Sequence, residues 1–364
     1  MTQPANSRSR FVTALAATAV IVAGCGLFAG EPTPTPAGSG RPSLPAAVVT
    51  PTPSPTPQLV KSITLVATLG EPKDATPAGM TWAGIQTTAG RIGATASLVE
   101  PADRTALASE VDKAAGASLA VVVTVGPDAA PAVAAAATAH PETHFLEVGV
   151  VVADGGPANV HGLVFDEAEA GYLAGYIAAT FSANGKLGIA GDAAADNSTA
   201  NYVAGVRAGA AQANPSSIVS VGYAGNPSLP DKGRTAAATL VKNGNDTIAA
   251  MPSLAGIGAM RETCTRKARL VTVGTDAWKL VPDVQACLVA SVLNRYDTAV
   301  GTAIAALSIG AQLPARVVND VSNDGIAVGE IHATPPAGFA ARLAGVMATL
   351  KAGPPRPTPA PAAT

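Results

Sequence analysis

From Leu59 to Lys351 the chain repeats one rhythm, a short apolar run followed by an alanine-rich helical stretch. The runs "SITLVATLG", "ATASLVE", "LAVVVTVG" and "THFLEVGVV" alternate with helical patterns over residues 79–94, Thr105–Ala115 and Ala129–Ala139. After "VHGLVFDEAEAGYLAGYIAATF" the rhythm restarts with "GKLGIAGD", "SIVSVGYAG", "DTIAAMPS" and "ARLVTVGTD". Helices over Thr199–Asn214, Lys232–Lys242 and Ile257–Lys267 separate these later runs. Uninterrupted β-rich runs are what strands buried on both faces of a parallel sheet require, because helices cover both sides. Asn184-Gly185 and Asn243-Gly244 punctuate helix ends where a left-handed residue is needed. Two successive series of β/α units predict an α/β protein of two doubly wound lobes, with a ligand cleft beyond the carboxyl ends of the strands.

The ends of the chain have another character. "MTQPANSRSR" carries Arg8 and Arg10, and the apolar run Phe11–Ala23 follows it. A charged start, an apolar stretch too short to span a bilayer comfortably and small residues at its end form the layout of a signal peptide over residues 1–24. Val22-Ala23-Gly24-Cys25 resembles the lipobox of bacterial lipoproteins. That resemblance implies cleavage before Cys25 and diacylation of its thiol, and two acyl chains at about 0.8 kcal/mol per buried CH₂ anchor a chain stably. A plain signal peptide with an incidental cysteine, or an uncut anchor, is the alternative. Residues 25–58 are rich in Pro, Thr and Ser and read as an extended spacer, and residues 353–364 as a disordered tail.

Composition excludes several classes. A net charge of −2 and 13% charged residues leave no basic surplus for nucleic acid. After Phe11–Ala23 no second apolar segment is long enough to cross a membrane. No phosphate-binding loop, nucleophile elbow or zinc-protease motif is present, and Pro141 interrupts the pair His140 and His144, so neither an enzyme, a metal nor a cofactor is expected. Cys264, near the end of a helix, and Cys287, at the start of a strand, sit at the edges of β/α units. A disulfide between them is expected outside the cell, with two buried thiols as the alternative.

At "VFDEAEAGYLAGYIAATF" the sequence resembles the basic membrane protein (BMP) family of substrate-binding lipoproteins, which includes purine nucleoside receptors. Gly171–Ala179 matches its Gly-Ser/Tyr-Leu-Ala-Gly-x-x-Ala-Ala pattern, and "NYVAGVRAGAAQANP", "PDKGRTAAATLVKNGNDTI", "VTVGTDAW" and "ASVLNRYDTAVGTAI" follow in family order. The resemblance implies a type I periplasmic-binding-protein fold, Rossmann-like lobes joined by hinge strands near Phe165, Asn294 and Arg316. The lobes expected from it are 59–165 with 295–315, and 166–294 with 316–352. It also implies a monomer that binds a small-molecule solute outside the cytoplasm and delivers it to ABC permease subunits, anchored to the outer face of the cell membrane by diacylglyceryl-Cys25. A sensor or scaffold that keeps the fold without transport is the other reading.

The motif residues themselves have structural explanations. Gly171 and Gly175 permit close helix approach, Asp166 and Glu169 suit a capping box, and Arg295 can pair with Asp297. At the ligand loops the sequence departs from the nucleoside pattern. Where the family has Asp-x-Ser-Phe-Asn, this chain has Asp74-Ala75-Thr76-Pro77-Ala78. A second stacking Phe falls at Pro227, a family Asp at Gly149 and a family Lys at Asn294, whereas Asp276 matches the Asp that accepts from ribose hydroxyls. Base–aromatic stacking contributes about 1–3 kcal/mol per base, so both losses weaken a nucleoside site unless compensated. Trp278 is the available replacement platform, or else a loop hydrophobe folded onto its lobe; Trp82 reads as core. Asp276 and Asp74 are the leading ligand-binding candidates, followed by Thr76, Trp278, Ser253, Gly256 and Asn294. Ser253, Gly256 and Gly258 would offer backbone N–H groups, and Asp192, Asp196 and Asn197 face either the cleft or solvent.

Overall fold

The computed structural model describes residues 59–67, 76–153 and 155–353, with the Arg104 side chain outside the description. The proposed signal peptide, Cys25, the proline-rich spacer, Asp74 and the segment after residue 353 lie outside these residues. The first series of elements is β1 (Ser62–Val66), α1 (Pro77–Ile92), β2 (Thr95–Val99), α2 (Arg104–Ala115), β3 (Ala120–Val125), α3 (Ala130–Ala139), β4 (His144–Val148) and β5 (Val160–Phe165). The second is α4 (Glu167–Phe181), β6 (Lys186–Gly191), α5 (Asn197–Ala213), β7 (Ile218–Tyr223), α6 (Pro230–Lys242), β8 (Thr247–Ala250), α7 (Leu254–Thr265), β9 (Arg269–Gly274), α8 (Ala277–Leu280) and β10 (Leu288–Asn294). The chain then adds α9 (Tyr296–Ser308), β11 (Arg316–Asn319), β12 (Ile326–Val328) and α10 (Phe339–Lys351).

Two six-stranded sheets result, ordered β2-β1-β3-β4-β5-β11 and β7-β6-β8-β9-β10-β12. Each repeats the same doubly wound order, and among the described strands only the β10–β12 pairing is antiparallel. The central strands β3, β6, β8 and β9 are almost wholly buried, whereas the edge strands β2 and β7 are not. That is why the inner strands read as continuous apolar runs. The two-lobed α/β fold expected from the sequence is therefore the fold observed.

The chain crosses between sheets three times, after Phe165, after Asn294 and after Asn319. The first two crossings lie where expected. The third corrects the expected boundary at Arg316, because Arg316–Asn319 pairs in parallel with Gly162–Phe165 and so closes the edge of the N-terminal sheet. Hydrogen bonds tie the crossings together. Asp166 N–H donates to the Asn319 carbonyl (2.9 Å) and Arg295 N–H to the Gly325 carbonyl (2.8 Å). Glu169, 1% exposed, accepts from Val321 N–H at 2.9 Å.

The crossing of α4 over α5 is made by backbone against backbone. A Cβ at Gly171 or Gly175 would collide with the carbonyls of Tyr202 or Val206. One at Gly205 or Gly209 would collide with those of Ala168 or Tyr172. Of α4, only Glu167, Tyr172 and Thr180 escape full burial. Gly84 meets the Asp297 carbonyl in the same way, seating α1 on α9. In the C-terminal lobe a disulfide joins Cys264 to Cys287, their Cα atoms 5.3 Å apart. Gly209→Leu is accordingly expected to destabilise the chain by about 3 kcal/mol or more through overpacking. Gly90→Ala, on an exposed helix face with open space around it, should stabilise by about 0.5–1 kcal/mol. Chemical denaturation of the two variants checks both, and equal effects would refute the backbone-contact reading.

Candidate functional site

The carboxyl ends of both sheets converge on the crossings, and there a cavity of about 200 Å³ opens between the lobes. Its polar wall is Glu167, Ser198, Tyr202, Asn294 and Tyr296, with Phe165 beside them. Met251 and Val273, at the carboxyl ends of β8 and β9, supply apolar wall. Local structure sets each polar group. Asp166 caps α4 by accepting from Glu169 N–H (3.0 Å), which makes Glu167 the first helical residue. Asp196 caps α5, accepting from the backbone N–H and hydroxyl of Thr199 at 2.7 and 2.8 Å. Ser198 and Tyr202 follow four apart on that helix and so share a face. Asn294 ends β10 and Tyr296 begins α9, the Tyr296 ring standing edge-on to Phe165 with centroids 4.8 Å apart.

Two polar atoms in this wall stand out. The hydroxyl of Tyr202, a residue only 1% exposed, and Oδ1 of Asn294 are buried with no hydrogen-bond partner among the described residues. Such groups cost about 1–3 kcal/mol each unless a ligand or water meets them. The electrostatics point the same way. Burial raises the Glu167 carboxyl above the usual carboxylate range, Asp166 and Asp196 add to the rise, and a hydrogen bond with Ser198 opposes it. Asp192 is raised too, chiefly by burial, although it accepts from Ser253 Oγ at 2.5 Å. Burial and the nearby Asp192 raise the Tyr202 phenol.

Of the described residues named from sequence as ligand contacts, Asn294 lines the cavity and the others do not. Thr76 caps α1, its hydroxyl accepting from Gly79 N–H at 3.0 Å. Ser253 caps α7, so the Gly256 N–H expected to face a ligand donates to Ser253 Oγ instead (2.8 Å). A Cβ at Gly258 would strike the Pro230 carbonyl, which makes that glycine a packing residue. Asp276, two residues beyond β9, accepts from Trp278 N–H (3.1 Å) and lies 3.5 Å from Lys279 Nζ. Trp278 is the hydrophobe folded onto its lobe, stacked on His332 with centroids 3.8 Å apart. Trp82 packs against the main core. Asp196 is exposed apart from its cap, Asn197 is exposed, and His140 pairs with Asp112 at 2.9 Å. His144 instead meets His161 at 3.3 Å, and no metal-ligand cluster exists among the described residues. Arg295 and Asp297 form the expected pair through two hydrogen bonds of 3.0 and 2.9 Å.

A cleft of this architecture has known relatives. The family model of PnrA-like ABC transporter substrate-binding proteins matches residues 72–314. The chain belongs to this family. Its members are substrate-binding proteins rather than enzymes. Basic membrane protein A1 of Borrelia garinii is 34% identical over 122 residues, 33% of this chain and 36% of that protein. The ABC transporter nucleoside-binding protein BmpA of Lactococcus lactis is 33% identical over 131 residues, 36% of each chain. The matches thus span about a third of these relatives' length. A solute-binding protein of an ABC transporter system from Conexibacter woesei superposes with a TM-score of 0.66 at 22% identity, covering 83% of this chain and 99% of that one. That likeness shows the shared type I fold. No helix among the described residues is long and apolar enough to cross a membrane.

Two outcomes follow from the cavity wall. Tyr202→Phe removes an unpartnered buried hydroxyl and is expected to leave the unliganded chain equally stable or up to about 1 kcal/mol more stable. The Glu167 carboxyl titrates higher in the folded chain than in the unfolded one, so the folded state holds the proton longer. Stability therefore falls as pH rises from the unfolded value, about 4.3, through the raised folded value. Glu167→Gln should abolish that fall, matching the parent at lower pH and exceeding it above the window. Thermal denaturation across pH measures both variants, and an unchanged pH profile in Glu167→Gln would contradict the burial.

Proposed function

We propose that this chain is the extracytoplasmic solute receptor of a BMP-type ABC importer, binding a small polar solute in the cleft between its lobes. The observation that carries the reading is the interlobe cavity with Tyr202 Oη and Asn294 Oδ1 buried and unpartnered in its wall. Family membership supports it. The cavity volume lies below the ~300–1,000 Å³ of drug-sized pockets, which suits a compact solute or one end of a larger one. A nucleoside is the ligand suggested by the name of the Lactococcus relative, and Phe165, Tyr202 and Tyr296 supply aromatic surface where the family's stacking residues are replaced. Cys25 tethers the receptor to the outer face of the membrane as a diacylated residue, with residues 26–58 as spacer. Its partners are the permease subunits of the importer, and it acts as a monomer.

A thermal-shift screen of the full chain against nucleosides, sugars and amino acids tests the reading. A ligand at 100 times its dissociation constant adds about 2.7 kcal/mol of stability. Silence from a well-folded sample would favour a sensor or scaffold with a degenerate pocket. Asp276, outside the cavity lining, is proposed as a hydroxyl acceptor for the part of a larger solute that extends beyond the cavity, and Asp276→Ala should weaken such a hit at least about tenfold; unchanged affinity removes it from the site. Cys25→Ser is expected to release the chain from the membrane fraction, and retention there would overturn the lipid tether.

A further inference from the structure

The chemistry of the cavity wall specifies more than a polar solute. Its hydrogen-bonding groups are the Glu167 carboxyl, the unpartnered Asn294 Oδ1, the unpartnered Tyr202 hydroxyl, Ser198 and Tyr296. Among the described residues no Lys, Arg or His stands in that lining. The nearest cation in sequence, Arg295, is held by both oxygens of Asp297. Acid accumulates instead. Asp166 and Asp196 act electrostatically on Glu167, and Asp192 acts on Tyr202. Phe165, Tyr202 and Tyr296 add three aromatic rings to the same wall.

We infer that the cleft is built for a small organic cation, a solute carrying an ammonium group that Glu167, Asn294 Oδ1 and Tyr202 Oη receive among the three rings. The inference rests on the receptor reading and sharpens it. An ammonium group only donates, through as many as three N–H bonds, and this wall offers a carboxylate and an amide oxygen as acceptors, with a phenol oxygen able to serve as one. A buried cation needs both a counter-charge and hydrogen bonds. Glu167 provides the first, and the two unpartnered oxygens share in the second. Aromatic faces attract the cation further. An anionic solute would meet a carboxylate with no compensating cation among the described lining residues. A neutral hydroxylated solute would leave the acid cluster unneutralised. The buried, unpartnered Tyr202 hydroxyl separates this wall from a merely acidic surface.

The test is calorimetry on the full chain with ethanolamine and 3-aminopropanol, each beside its neutral isostere in which carbon replaces the charged nitrogen, and with glycerol, ribose and adenosine. A cationic probe should bind at least about tenfold more tightly than its isostere. Glu167→Gln and Tyr202→Phe should each weaken that binding about tenfold, with the folded state of both variants verified by circular dichroism. The Tyr202→Phe arm keeps the test valid if the Glu167 variant folds poorly. Binding of ribose or adenosine without preference for charge would overturn the cationic class and leave the receptor reading standing. Silence from every probe, cationic and neutral, would overturn the inference and count against the receptor reading as well.

Discussion

The contact of α4 with α5 sets the geometry on which the site depends. Four glycines let two helical backbones meet where side chains would hold them apart, and their spacing fixes one register between the helices. The contact is directional as well as close. Gly171 receives the carbonyl of Tyr202 itself, so a residue of the cavity wall is seated by its own backbone. Glu167 lies one turn before Gly171 on α4, and Ser198 one turn before Tyr202 on α5. The packing motif and the polar wall are thus successive turns of the same two helices. A protein interior that is close-packed transmits such placement with little slack.

The crossings between lobes form a second constraint. They are not three independent linkers. Asp166 bonds to the last residue of β11, and Arg295 and Glu169 to the segment between β11 and β12, so the third crossing serves as a strap across the other two. Glu169 matters most here, because it is a buried carboxylate on α4 that holds Val321 N–H in place. Hinge motion in such a protein involves a few residues at element ends, and in this chain those residues border the cavity. Asn294 and Tyr296 stand on either side of one crossing, Phe165 and Glu167 on either side of another.

How much of this was legible in the sequence follows from where the information resides. The alternation of strands and helices was legible, since burial on both faces writes an uninterrupted apolar run into each inner strand. So were the packing glycines, the Arg295–Asp297 pair and the possibility of joining Cys264 to Cys287. The lobe assignment of Arg316–Asn319 was not, because a four-residue strand has no period of its own and its partner lies some 150 residues earlier. Of the ligand contacts named from sequence, Asn294 alone among the described ones lines the cavity. Sequence reasoning searched the loops after strands, whereas Glu167, Ser198, Tyr202 and Tyr296 occupy the opening turns of helices. A signal existed in the acidic cluster "FDEAE" and in "NRYD", each directly after a strand and rich in polar or aromatic groups. The two readings of Trp278 could not be decided from sequence for a physical reason, since His332, the ring that covers it, is distant in sequence.

The placement of β11 has a consequence for how the molecule is born. A chain delivered from its N-terminus presents β1 to β5 long before Arg316–Asn319 exists to pair with β5. Through that interval β5 is an open sheet edge, with unpaired backbone groups that invite pairing with another chain. Helix α9, which seats on α1 at Gly84, arrives equally late. The C-terminal sheet, by contrast, lacks only its short antiparallel β12 once β10 has emerged. The half of the protein made first is therefore the half that waits longest for its last strand, and its newborn edge stays open until the final fifty residues are made.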